Sequence, residues 1–206
     1  MADNDVLKKL AICDLLDEAI SAFGVSPKEI LVLPTARFKL LTPKNPNKGR
    51  AQLGNDAYER LQAFLDNAGV LDARPSPDDQ KLFEDALDID PGEAILFSAT
   101  AHFSDFLVAT GDKRCLRALH GLSHAERIRA RVAGRIICFE QILSRIISCS
   151  GFGHVRTKLV PACGCDTVLR VAFGSGLNAT EESVTRCLTI YTEHLRRETG
   201  SLLAPV

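Results

Sequence analysis

The stretch Asp90-Pro-Gly-Glu-Ala-Ile-Leu-Phe-Ser-Ala99, continued by Asp105-Phe-Leu-Val-Ala-Thr-Gly-Asp-Lys-Arg114, decides the fold. Asp90 is a helix cap, Pro91 suits the first helical position, where its missing N–H costs nothing, and Glu93 completes a capping box. The helix is expected to run on to Phe103. Phe106-Leu-Val-Ala-Thr110 is then a short apolar strand of the kind buried in a parallel sheet. Gly111-Asp112-Lys113 turns the chain into a further helix from Arg114 to His120.

The same alternation extends in both directions. Upstream, Val6 to Phe23 carries a helical apolar stripe that stops at Gly24, and Glu29-Ile-Leu-Val-Leu33 reads as a buried strand closed by Pro34. Thr42 to Arg50 reads as a basic loop. Asp56 to Ala68 is helical, and Pro75-Ser-Pro-Asp-Asp79 opens another helix. Downstream, Ser123-His-Ala-Glu126 has the spacing of a second capping box, Arg135 to Phe139 is an apolar strand and Glu140 to Ile147 a helix. Beyond Gly151-Phe-Gly153 the pattern changes to two amphipathic helices, 166–173 and 180–197. The reading is an α/β fold: a three-layer Rossmann-like sandwich around a mostly parallel sheet in residues 1–150, with a helical insertion at 42–88. Residues 151–206 form a helical C-terminal appendage.

The 206 residues suffice for one sizeable core, and 46% hydrophobic with 25% charged residues is ordinary for a globular protein. A formal net charge of −1 does not advertise nucleic-acid binding, so any such contact must come from local patches. The acidic start Met1-Ala-Asp-Asn-Asp5 is unlike a signal peptide, and no apolar run approaches the ~20 residues of a membrane span. The expectation is a cytoplasmic protein without a membrane partner. Seven cysteines scattered among apolar neighbours fit small core side chains of a reducing compartment. Cys163-Gly-Cys165, with Cys149 and His154 near in sequence, lacks the second ligand couple of a structural zinc site.

In open α/β sheets, ligands bind beyond the carboxyl ends of the strands. Asp112 follows the strand ending at Thr110 and belongs on that rim. Glu93 opens the helix antiparallel to that strand, which returns it to the same rim, and Asp3 and Asp5 precede the first helix. Acids crowded at one spot repel one another unless a cation occupies it, and oxygen-rich sites suit Mg²⁺ or Mn²⁺. Each acid also has a plainer role. Glu93 serves the capping box, Asp112 suits a turn, and Asp3 and Asp5 complement a helix dipole.

The run from Asp90 to Arg114 resembles the core of PIN domains, in which an acid on a helix precedes an apolar strand ending in Thr-x-Asp. Asp3-Asn-Asp-Val-Leu-Lys-Lys-Leu-Ala11 is similar to the first motif of that family. The resemblance covers about residues 1–147. It implies a Mg²⁺- or Mn²⁺-dependent ribonuclease, with Asp3, Glu93 and Asp112 as the metal-binding catalytic acids and Asp5 supporting them. Two departures stand out. Arg37 occupies the place where many small members carry a further acid, for which Glu140, just past the strand ending at Phe139, is the substitute. Only Met1 and Ala2 precede Asp3, where the family has its first strand. A catalytically degenerate module that binds RNA or protein is the alternative these departures favour.

Lys113, Arg114 and Arg117 follow Asp112 directly, and Arg127, Arg129 and Arg131 lie a helix further on. All six are candidate contacts to RNA phosphates, with Lys44, Lys48 and Arg50 of the basic loop beside them. By the resemblance, small members of the family pair as dimers, a task the C-terminal helices could take, and toxin–antitoxin members have an antitoxin-like protein partner.

Overall fold

A computed structural model describes residues 1–205 except 73 and 85, and all of Gln80 but its side chain. Helices take up most of the chain, and the strands are short and parallel. Helix α1 (Asn4–Ile12) starts at Asp3, whose carboxylate accepts the amide of Asn4 at 2.7 Å. The apolar stripe expected as one helix is two, because Asp14 takes a left-handed conformation (φ 55°) between α1 and α2 (Leu16–Phe23). Gly24 ends α2 with φ 62°, as its position past the stripe requires. Strand β1 (Leu31–Val32) pairs with β2 (Gly69–Val70), an edge segment too short to leave a pattern in the sequence.

Between them lie α3 (Ala36–Leu41), α4 (Pro46–Leu53) and α5 (Asn55–Asn67). The expected basic loop therefore holds the start of a helix: Asn45 accepts the amide of Lys48 at 3.2 Å as a cap, with Pro46 at the first helical position. Helix α6 (Pro77–Glu84) leads to α7 (Pro91–Ala99), where the capping box is made as expected, with both Asp90–Glu93 bonds at 2.8 Å. Helix α7 stops short of Phe103, and the chain tightens into a 3-10 turn over Thr100–His102.

Strand β3 (Val108–Thr110) leads through α8 (Lys113–Gly121) and α9 (Glu126–Val132) to β4 (Ile136–Cys138). The expected box at Ser123 is not formed; Ala125 precedes α9 without a side-chain cap, and His124 has φ 63°. Helix α10 (Phe139–Ser150) starts directly at the tip of β4. Then come α11 (Phe152–Ala162), which the sequence pattern left unassigned, α12 (Thr167–Ala172) and α13 (Glu181–Thr199).

The N-terminus joins the two strand pairs. Ala2 bridges Val32 on one side and Ala109 on the other, both in parallel, with the Ala2 amide on Leu31 O and the Asp3 amide on Ala109 O at 2.9 Å each. Met1–Asp3 therefore fills the central position that seemed to lack a strand. On the far side of β4, Leu203 bridges Ile136 in parallel. The order across the pairings is β2, β1, Ala2, β3, β4, Leu203. Neighbouring residues of β4 face opposite ways: Ile137 joins one apolar cluster, and Ile136 and Cys138 join another that contains Val108, Leu116 and Leu203. Residues 151–206 feed both clusters, with Leu159, Leu169 and Leu188 in the first and Leu195 and Leu202 in the second. No helix among the described residues is long and apolar enough to cross a membrane.

Candidate active site

The carboxyl ends of the central segments bring the expected acids together. The chain leaves β3 at Thr110, whose hydroxyl accepts the amide of Asp112 at 3.1 Å. Asp112 then caps α8, its Oδ1 accepting the amides of Arg114 (2.8 Å) and Cys115 (3.1 Å). Gly111 lies against Asp5: a Cβ there would stand 2.4 Å from Asp5 Oδ2 and 3.2 Å from Lys9 Nζ. Glu140, the second residue of α10, is 2% exposed.

Two overlapping groups result. The inner group is centred on Cys115. Its amide is bonded to Asp112, and the charges of Glu93, Asp112 and Asp3 all act on its thiol. Asp3 and Glu93 are buried. Burial pushes the Glu93 carboxyl up to about 7; the Asp90 amide and the Cys115 thiol act against it, and the charges of Asp112 and Asp90 add to it. Asp3 rises to about 6 for the same first reason, with Asp5 and Asp90 adding repulsion against the pull of the Asn4 amide. The Cys115 thiol is driven up by burial and by its carboxylate neighbours, Glu93 first, which keeps it an inert donor.

The outer group lines an open cleft of about 340 Å³ formed by Asp5, Lys9, Asp112, Lys113, Glu140 and Asp166 with Arg114 at its edge. Here the acids already have cations. Lys9 Nζ bonds Asp5 at 2.7 Å and Asp166 at 2.8 Å, and Lys113 bonds one oxygen of Glu140. Burial alone would lower the Lys9 pKa, but its bonds to Asp166 and Asp5 overcome this and hold it above the ordinary lysine value. Burial likewise opposes ionisation of Asp166, and the Lys9 bond outweighs it, so that carboxyl sits below its usual range. The other oxygen of Glu140 is buried without a hydrogen-bond partner.

Asp3, Glu93 and Asp112 therefore share one neighbourhood and Asp5, Asp112 and Glu140 another, with Asp112 common to both. Among the described residues, no three His, Cys, Asp or Glu side chains converge as a ready ligand set. Mg²⁺ is commonly held through only one or two carboxylates plus water and substrate phosphate, and the donor set fits that mode.

The candidate RNA contacts divide. Lys113 and Arg114 line the cleft. Arg117 is tied to Glu198 of α13 by bonds of 2.6 and 2.9 Å. Arg127 pairs with the buried Asp79 at 2.7 Å, Arg129 donates to Leu122 O, and Arg131 donates to Phe97 O and Thr100 Oγ1. These three fasten α9 to its surroundings and do not line the cleft. Arg50 is bonded to Glu59, and Arg37, on α3, pairs with Asp66 outside the cleft.

Lys9 and Asp166 were not among the expected site residues. Lys9 lies on a helix stripe like any solvated lysine, and Asp166 is fully accounted for as the cap of α12, accepting the amides of Val168 and Leu169. A separate cavity of about 570 Å³ lies near the start of the strands among Met1, Leu7, Phe23, Ile30 and Leu107 and is lined by none of the candidate acids. No family model, curated protein or solved structure matches this chain.

Proposed function

We propose that this chain is a Mg²⁺- or Mn²⁺-dependent ribonuclease built as a PIN-like three-layer sandwich with a helical C-terminal extension. The observation that carries the reading is Asp112 fixed beyond the strand end on the amides of Arg114 and Cys115, with the buried acids Glu93 and Asp3 in the same neighbourhood. Two buried acids held near neutral pKa are costly as a scaffold and useful as ligands awaiting a cation. The strand order with Met1–Asp3 at its centre supports the architecture.

In this reading one or two of Asp112, Glu93 and Asp3 would hold the ion, water and substrate phosphate completing its shell, with Asp5 and Glu140 behind them. A bound divalent ion supplies the Lewis acid that polarises a phosphodiester and lowers the pKa of water. The chain's own share is positioning. Asp112 is locked by two amide bonds, so its free Oδ2 has a fixed direction apart from a 3.4 Å contact with Arg114. Arg114 and Lys113 flank it and can hold non-bridging phosphate oxygens of RNA. The work would be done in the cytoplasm, and an antitoxin-like protein or a second copy of the chain would be a regulatory partner.

The deciding experiment is cleavage of single-stranded and structured RNA with added Mn²⁺ or Mg²⁺, comparing the native chain with Asp112→Asn. Asparagine still caps a helix, so the fold should persist while cleavage falls by about 100-fold or more, corresponding to ~3 kcal/mol of lost charge stabilisation. Cleavage that survives Asp112→Asn sinks the reading. Metal-independent RNA binding with no cleavage would leave the degenerate-module alternative.

A further inference from the structure

The motif Cys163-Gly-Cys165, which the candidate active site leaves unused, finds a partner beside the first helix. Cys165 Sγ lies 3.7 Å from Cys13 Sγ, although 152 positions separate the two in sequence. They meet because Cys13 caps the end of α1 and Cys165 ends the 3-10 turn Cys163–Cys165 that leads into α12. Their exposures differ in a way that gives each a role. Cys13 is 0% exposed and out of reach of any solute, whereas Cys165 is half-buried and meets solvent with part of its surface. The Cys13 thiol and the Lys9 charge hold the Cys165 thiol below its ordinary pKa, against burial and the charge of Asp166. The same contact pushes the Cys13 thiol up, and burial adds to it. Both residues stand at the ends of elements, where small backbone and side-chain rotations can bring the sulfurs to the ~2.05 Å of a disulfide.

We propose that Cys165 is a peroxide-reactive modification site, and that Cys13 resolves its oxidation into a disulfide stapling α1 to the segment before α12. The Cys165 thiolate attacks one oxygen of hydrogen peroxide, the O–O bond breaks, and the released hydroxide takes up a proton as water, leaving a sulfenic acid. The Cys13 sulfur then attacks the Cys165 sulfur. The S–O bond breaks, and hydroxide leaves as water with the Cys13 proton. Each sulfur gives up one electron and the peroxide takes both, so two thiols and one peroxide become one disulfide and two waters. A bond across 152 positions closes a long loop, the kind whose closure constrains the unfolded chain most. In a reducing compartment such a bond is transient and signals oxidant.

The experiment treats the full chain with a small excess of hydrogen peroxide, quenches it, and follows non-reducing peptide maps by mass spectrometry together with thermal unfolding. Of the seven thiols, the first two to disappear should be those of Cys13 and Cys165, joined in one linked peptide that has lost two hydrogens. The melting temperature should rise by roughly 5–15 °C, and dithiothreitol should restore both thiols and the original melting. Cys13→Ser should leave Cys165 reactive but stop it at the sulfenic acid, which dimedone traps, with no rise in melting. A Cys163–Cys165 link, or native Cys165 carried on to sulfinic acid, overturns the role of Cys13. Cys165 untouched while the exposed Cys149 oxidises overturns the site itself. A Cys13–Cys165 disulfide that leaves melting unchanged overturns the staple. The native peptide map decides the pairing even if Cys13→Ser does not fold.

Discussion

Replacing Glu93 by Gln should make the metal-free protein more stable at alkaline pH and indistinguishable from the native chain in acid. Glutamine can still reach back to the Asp90 amide, so the capping box is retained. What disappears is the cost of ionising a buried carboxyl. Moving that group from its ordinary 4.5 to about 7 corresponds to ~3 kcal/mol. Because the folded value is the raised one, the fold favours the protonated form. Its contribution is complete below pH 4.5 and is lost as pH climbs through about 7. Other groups, such as Asp166 and Glu198, are shifted downward and act in the opposite sense, so the informative quantity is the difference between the two proteins. Urea unfolding followed by circular dichroism from pH 4 to 8.5 should give a difference near zero at the acid end that grows to about 3 kcal/mol at the alkaline end. Saturating Mn²⁺ should narrow it, since an ion bound at Glu93 stabilises the ionised native form. A flat difference curve, or a variant less stable than the native chain at pH 8, would refute the account of Glu93 as a strained acid.

Gly111→Ala drives a Cβ into Asp5 Oδ2 and should displace that carboxylate from Lys9, costing on the order of 1–2 kcal/mol of stability and weakening Mn²⁺ binding in titration. Among the described residues, Arg127→Ala leaves the buried Asp79 carboxylate with only the 3.8 Å contact to Arg131, so it should lose about 1–3 kcal/mol in thermal unfolding yet bind RNA as before. Arg114→Ala should do the reverse, since that side chain is 77% exposed at the cleft edge: unchanged melting and weaker, less salt-dependent RNA binding. Ile136→Ala, at a fully buried position of β4, should cost about 2–5 kcal/mol by chemical denaturation.

What could be read from the chain follows from how local each determinant is. The capping box at Asp90 and the apolar run ending at Thr110 are set by near neighbours; the box forms where the residue pattern places it, the strand takes the last three residues of its run, and Asp112, read as a turn residue, also caps α8. Ser123 has the same box spacing as Asp90 and fails because His124 adopts a left-handed conformation and α9 starts later. The break at Asp14 and the two-residue β2 are fixed by tertiary packing and leave no periodicity to detect. At the site, Asp112 was legible because it directly follows its strand, and Glu140 because it opens the helix at the tip of β4. Lys9 with Asp166 was not, since the two partners lie far apart in the sequence and each looks complete locally. Arg127, Arg129 and Arg131 show the converse: a basic run is equally compatible with a phosphate groove and with ties to Asp79 and to main-chain carbonyls.

The parallel bridge between Leu203 and Ile136 has a consequence for the order in which the molecule can be made. Until residue 203 leaves the ribosome, the outer side of β4 is an open edge with unpaired amides and carbonyls, a surface on which nascent chains aggregate. Asp166 is likewise made long after Lys9, so before it arrives Lys9 has Asp5 but not its second carboxylate. An arrested or truncated product would thus combine a sticky sheet margin with an incomplete cleft.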